Sequence, residues 1–172
     1  MISISMNNVI ILFGVNGSGK SHIAKLIQKE FGYQYISIEE FFIENYGDVE
    51  NYRKNSKQAW KLLKAHIDSQ VALNQKVCFE LVFPELENVL IDYDNPTIDY
   101  KFVRVDVSLE TSLSRVDSRG LRQNFPKSRE FVTQTYNKFY SEQYKQFPFD
   151  LHIHNENVSE VVLIESLKNI LP

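Results

Sequence analysis

Cysteine is nearly absent from this chain: among 172 residues only Cys78 carries a thiol. A lone thiol inside an apolar run (KVCFELVF) forms no intramolecular disulfide, so a reducing cytosol is the expected setting. An excess of basic charge is also lacking. Lys and Arg number 19 against 22 Asp and Glu, a net charge of −3, which excludes a polyanion-binding surface spread over the whole molecule. Long nucleic acid is therefore an unexpected partner unless a local basic patch provides for it. No membrane-spanning run is evident, since the apolar stretch Val9–Phe13 is far too short to cross a bilayer. The opening MISISMNNVIILFG has neither the basic start nor the small-residue cleavage site of a secretory signal. The expectation is a soluble, cytoplasmic protein with no membrane partner. Glycine is scarce too, 6 in all, yet three of them fall between positions 14 and 19.

What is present reads as one globular domain over residues 1–172. The chain is 43% hydrophobic and 24% charged, with no repeat and no low-complexity tract. Val9–Phe13 is a continuous aliphatic run suited to a central parallel strand covered on both faces. From Gly19 to Phe31 the period changes, with Ile23, Leu26, Ile27 and Phe31 at helical spacing and Gly32 as a stop. Tyr33–Ser37 reads as a second strand, and IEEFFIENYG as a short helix ended by Gly47. Asn51–Leu73 reads as one long amphipathic helix carrying Trp60, Leu63, Ile67 and Val71. Val77–Phe83 is a third strand stopped by Pro84, and Asp92–Tyr100 a turn-rich connection. Lys101–Val107 is a fourth strand, and Ser108 an N-cap for a helix over Leu109–Arg119. After an irregular basic segment from Gly120 to Lys127, Ser128 caps a helix whose face includes Val132, Tyr136, Phe139 and Gln143. Phe149–His154 is a fifth strand and Val158–Leu171 a closing helix. Alternating strands and helices with right-handed crossovers give an α/β fold, a five-stranded parallel sheet with helices on both faces.

The three early glycines belong to a spacing, G-x-x-x-x-G-K-S from Gly14 to Ser21, placed between the first strand and the first helix. Glycines there let backbone N–H groups turn inward toward a pyrophosphate without Cβ clashes. The helix that follows aims the positive end of its dipole at the same anion. Lys20 reaches β- and γ-phosphates, and the Ser21 hydroxyl suits Mg²⁺. Gly14, Asn16, Gly17, Ser18, Gly19, Lys20 and Ser21 are the candidate ATP-binding residues.

The phosphate loop, the α/β order, the length and a late arginine segment together resemble the small P-loop kinases, the group of gluconate, shikimate and nucleoside monophosphate kinases, zeta-toxin-like and polynucleotide 5′-kinases. The resemblance covers nearly the whole chain, though only the loop is highly specific. It implies the P-loop NTPase fold with sheet order 2-3-1-4-5 and a small arginine-bearing lid at about 119–128. In LSRVDSRGLR, Arg115 and Arg119 lie four apart on one helix face. Arginines so placed in similar kinases contact the nucleotide and stabilise the transferring phosphoryl group; the bland alternative is an exposed basic helix face. Arg122 and Arg129 are weaker candidates of the same kind. Where the group often has an aspartate after its second strand, this chain has YISIEEFF, which makes Glu39 a candidate general base and departs from the pattern by one methylene. Glu39 and Glu40 equally suit the first turn of a short helix. Glu80, near the end of the third strand, is a candidate for orienting Mg²⁺, or else part of an internal salt bridge. Arg53 is a candidate grip on an acceptor phosphate, while Lys54, Lys57, Lys61 and Lys64 read as a solvated face. Phe41, Phe42, Tyr46 and Tyr52 suit either a pocket or the core. The histidines lack metal-site spacing.

The leading expectation is an ATP- and Mg²⁺-dependent phosphotransferase acting on a small molecule or nucleotide, with Lys20, Arg115, Arg119 and Glu39 as its catalytic set. The alternative is a nucleotide-binding regulatory or interaction protein with slow hydrolysis.

Overall fold

The computed structural model of the chain describes residues 7–74, 76–83, 90, 91, 94–120, 125 and 127–171. Its centre is β1 (Asn7–Phe13), flanked by β3 (Lys76–Leu81) and β4 (Ile98–Asp106), with β2 (Gln34–Ile36) and β5 (Leu151–His154) at the edges. All pairings are parallel and the order is 2-3-1-4-5, as the resemblance implies. The unbroken aliphatic run of β1 has a simple cause. Val9, Ile11 and Phe13 face one core, and Ile10 and Leu12 face another on the opposite side of the sheet. A strand covered twice has no polar face to present.

Helix α1 (Lys20–Phe31) and the closing helix (Glu160–Lys168) cover one side, contributing Ile23, Ala24, Ile27, Leu163 and Leu167. The other side is covered by α4 (Ser56–Asn74), through Ala59, Leu63, Ile67 and Val71, and by α6 (Arg129–Phe139), through Phe139. Between these lie α2 (Ile38–Tyr46), α3 (Val49–Lys54), α5 (Leu109–Arg119) and the single turn α7 (Glu142–Lys145), and the closing helix is α8. Among the described residues no helix is long and apolar enough to cross a membrane. Cys78 is fully buried in β3, and burial pushes its thiol pKa well up.

Local chemistry changes three of the expected boundaries. The helix expected over Asn51–Leu73 is two, α3 and α4, broken at Asn55. The Asn55 amide side chain donates to the Asn51 carbonyl at 2.9 Å, and its backbone leaves the helical region at φ −114°. Such side chains compete with the helical ladder for backbone partners. The helix after Ser128 stops at Phe139, because Ser141 is extended and its hydroxyl bonds the Lys138 carbonyl at 2.7 Å. Strand β4 begins at Ile98, three residues earlier than Lys101, inside the segment expected to be a turn; Asn7–Phe13 pairs with it in register from Ile98 to Arg104. Pro84, Arg122 and the rest of 121–124 and 126 in the expected lid lie outside the described residues.

Candidate active site

The carboxyl ends of β1 and β3 meet where the phosphate-loop spacing begins. In the parallel register Leu12 sits beside Glu80 and Phe13 beside Leu81, so the chain leaving β1 turns over the end of β3. Two glycines in that turn are required sterically. Gly17 has φ +79°, and a Cβ on it would meet the Ser112 carbonyl at 2.5 Å. Gly19 has φ +93°, and a Cβ there would fall 2.2 Å from the Asn155 side-chain nitrogen. A side chain at Gly17 would push the α5 backbone away, and one at Gly19 would displace the Asn155 amide while holding a positive φ that L-residues rarely adopt.

The start of α1 differs from those of five other helices. Ser37, Asp48, Ser108, Ser128 and Ser159 each cap a helix through a side-chain oxygen, and each of those helices has an acidic residue in its first turn. Helix α1 has Gly19 as its N-cap, no side-chain cap and no acid in its first turn. Its first-turn N–H groups and the positive end of its dipole are left for an anion. The Asn16 side-chain nitrogen and the Ser18 hydroxyl are buried with no hydrogen-bond partner among the described residues. Buried polar atoms are rarely left so. A loop of this shape, with spare donors, fits a nucleotide's phosphates.

Lys20 is almost fully buried, and its ammonium bonds the carbonyls of Gly14 at 2.8 Å and Val15 at 3.0 Å. Burial lowers its pKa; Glu80 and Glu39 act in the opposite sense, while Lys127 and Arg119 reinforce the lowering. Those four charges are thus all close enough to be felt at Lys20. Ser21 donates its hydroxyl to Glu80 Oε1 at 2.8 Å, and the Tyr35 hydroxyl donates to the same oxygen at 2.6 Å. These two donors explain how a carboxylate is tolerated near the end of an interior strand. Burial, and then the Glu80 charge, holds the Tyr35 phenol far above its ordinary pKa, so it stays a donor. A hydroxyl beside a carboxylate is a hard-oxygen pair, which fits a Mg²⁺ ion held mostly by phosphates and water.

A cavity of about 270 Å³ opens beside this loop. Asn16, Gly17, Gly19, Lys20, Ser21 and Glu80 line it together with Glu39, Arg119 and Lys127. Glu39 is half-exposed and pairs with Lys127 at 2.8 Å, and the same ammonium bonds the Phe125 carbonyl at 3.0 Å. The remaining wall is apolar and includes Phe42, Tyr52, Trp60 and Phe125.

The sequence-derived candidates therefore fall into three groups. Lys20, Ser21, Glu39, Glu80 and Arg119 come together around one cavity. Arg115 does not line it: its guanidinium donates to the carbonyls of Gly17 at 3.2 Å, Ser18 at 3.4 Å and Asn155 at 2.8 Å. Arg53 is exposed on α3, away from the cavity wall, and Arg129 pairs with Asp117 on the surface between α6 and α5. Residues not singled out from the sequence also contribute. Asn155 donates to the Ser18 carbonyl at 2.7 Å, and Ser112 to the Asn16 carbonyl at 2.6 Å. Together with Arg115 they hold the loop's carbonyls outward, the orientation that leaves its N–H groups facing in. Lys127 ends the basic segment expected as a lid, but nothing local marks its pairing with Glu39 or the role of the Asn155 side chain, because each acquires its neighbours only on folding.

No family model matches the chain. Among curated proteins it is similar to one from Sulfurisphaera tokodaii named "Putative adenylate kinase", with 26% identity over 102 residues, which is 54% of this chain and 52% of that protein. The match thus spans about half the length of that relative. Among solved structures, a Chloroflexus aurantiacus protein described as a "putative kinase" superposes with a TM-score of 0.71 at 14% identity, covering 97% of this chain and 100% of the other. Deoxyadenosine kinase from M. mycoides with bound dCTP gives a TM-score of 0.56 at 24% identity, covering 94% and 97%. The chain has the P-loop kinase fold.

Proposed function

We propose that this chain is an ATP- and Mg²⁺-dependent phosphotransferase that moves the γ-phosphoryl group to a hydroxyl of a small acceptor. The observation that carries this reading is the shared cavity: the phosphate loop, an oxygen pair suited to Mg²⁺, an arginine and a separate carboxylate surround one small space. The kinase names of the S. tokodaii and M. mycoides relatives support the same class.

In this reading the phosphates displace the Gly14 and Val15 carbonyls as partners of the Lys20 ammonium, and the uncapped start of α1 receives them. Ser21 and Glu80 are the residues that would hold a Mg²⁺ ion, which would offset charge developing on the phosphate oxygens. Arg119, at the last turn of α5, brings a guanidinium to the transferring group. Glu39 accepts the proton of the acceptor hydroxyl, and Lys127 balances its charge beforehand. Arg115 and Asn155 act through the loop, keeping its backbone in the binding shape. Catalysis consists chiefly of alignment and preorganised charge.

The test is ADP release from Mg-ATP, with and without pooled acceptors, in the wild type and in Lys20→Ala. Acceptor-stimulated release that disappears in the variant is the expected result. Release indifferent to every acceptor would instead favour a regulatory nucleotide binder that hydrolyses slowly.

A further inference from the structure

We infer that the acceptor is a neutral molecule with a flat ring and a hydroxyl, of the nucleoside class, rather than a nucleotide or a sugar acid. This rests on the phosphotransferase reading only for the word acceptor; the binding argument stands on the cavity wall.

The wall opposite the loop is a connected set of rings. Phe42 and Tyr52 are stacked, with centroids 4.3 Å apart and planes 22° from parallel. Trp60 meets Phe42 edge-on at 5.4 Å, and Phe125 meets Tyr52 edge-on at 5.6 Å. The rings come from α2, α3, α4 and the segment before α6, so the wall is built by tertiary packing. Phe42 is core, while Tyr52, Trp60 and Phe125 are half-buried and line the cavity. Burial among these rings raises the pKa of the Tyr52 phenol, so it stays neutral. Such a wall offers ring faces and apolar edges.

Charge argues the same way. Among the described residues the lining cations are Lys20, Arg119 and Lys127. Lys20 and Arg119 belong to the phosphate end, and the charge of Lys127 is already met by Glu39 at 2.8 Å. Arg53, the residue suited to grip an acceptor phosphate, is exposed off the wall. A carboxylate or phosphate on the acceptor would enter a ring-lined space with no spare counter-ion among the described residues and would lose hydration without return there. A neutral ring loses little hydration and gains stacking on the aromatic side chains. A cavity of about 270 Å³ lies just below the usual range of ligand pockets, which suits a single ring-sized group.

Trp60 is the sole tryptophan of the chain, so its fluorescence reports on this wall alone. The experiment titrates the full chain with adenosine and cytidine, their 5′-monophosphates, gluconate, shikimate and glucose. The expected result is saturable quenching by at least one nucleoside, with its monophosphate binding about tenfold or more weakly and the sugars and acids leaving Trp60 unchanged. Tyr52→Leu should weaken nucleoside binding about tenfold, and Tyr52→Phe, which keeps the ring, should restore it. Should Tyr52→Leu fail to fold, the wild-type ranking with Tyr52→Phe still decides. Equal or tighter binding of the monophosphates, preference for an acid or for glucose, or no response to either nucleoside overturns the inference. ADP release measured on the same panel separates the two claims. A nucleoside that binds without stimulating release contradicts phosphotransfer while supporting the assignment of the wall.

Discussion

The two ends of the cavity are built in different ways. The phosphate end is made by one continuous stretch, Gly14 to Ser21, whose backbone does the work and whose shape is locked from behind by Ser112, Arg115 and Asn155. The ring end is made by side chains from four separate segments, packed ring against ring. A backbone cradle tolerates almost no change in its own residues, because a Cβ at Gly17 or Gly19 collides at once. A side-chain wall can be rebuilt ring by ring while the fold persists.

The largest effect should come at the phosphate end. Lys20→Met should reduce any phosphotransfer by about a thousandfold, the scale of losing a key charge donor to the transition state. It should also raise Tm. Burial lowers the Lys20 pKa, so at neutral pH the folded chain carries that charge at a cost. The cost fades as pH climbs past the lowered value toward the ordinary one, and Met removes it at every pH. Thermal melts and ADP release on one preparation check both signs; a lowered Tm would show that the two carbonyl bonds outweigh burial.

Arg119→Ala is expected to lower kcat about a hundredfold with little change in the affinity for ATP, if its guanidinium meets the transferring group. Equal losses in both would make it a binding residue. Glu80→Gln keeps an oxygen for the hydroxyls of Ser21 and Tyr35 but removes the charge. The fold should hold, and the Mg²⁺ concentration needed for half activity should rise by about 10- to 100-fold. Unchanged Mg²⁺ dependence would take Glu80 out of the metal's surroundings. The smallest effect separates the two ends most cleanly: Arg53→Ala should leave acceptor KM within about twofold, as for an exposed residue remote from the site. A large rise in KM would mean that the acceptor carries a charge and that the ring end is not where it binds.

Much of the fold is legible in the sequence because its causes are local or periodic. A strand buried on both faces must be apolar throughout, as Val9–Phe13 is, and helices announce themselves by period and by Ser or Asp caps. The loop is legible because its residues are contiguous and its glycines answer a steric demand. Asn55 and Ser141 show where this reading gives out: each interrupts a good helical pattern through one side-chain bond to its own backbone. Arg115 and Arg119 illustrate the harder limit. They share a helix face four residues apart, yet one grips loop carbonyls and the other lines the cavity, a distinction set by how α5 docks on the loop. Lys127 shows only the basic character of its segment, and the Asn155 side chain has no local signature. The rings of Phe42 and Tyr52 suit core or pocket equally in the sequence, and only packing shows that Phe42 is core and Tyr52 half-exposed to the cavity.

The central claim is that the phosphate loop and the acceptor share one cavity, so that a phosphoryl group passes directly between them. The most direct measurement follows the label from γ-labelled ATP with Mg²⁺ and the nucleoside panel. Label appearing in a phosphorylated organic acceptor, and absent when Lys20 is replaced by Met, is the predicted result. Label appearing only as inorganic phosphate, at a rate no acceptor changes, would contradict it.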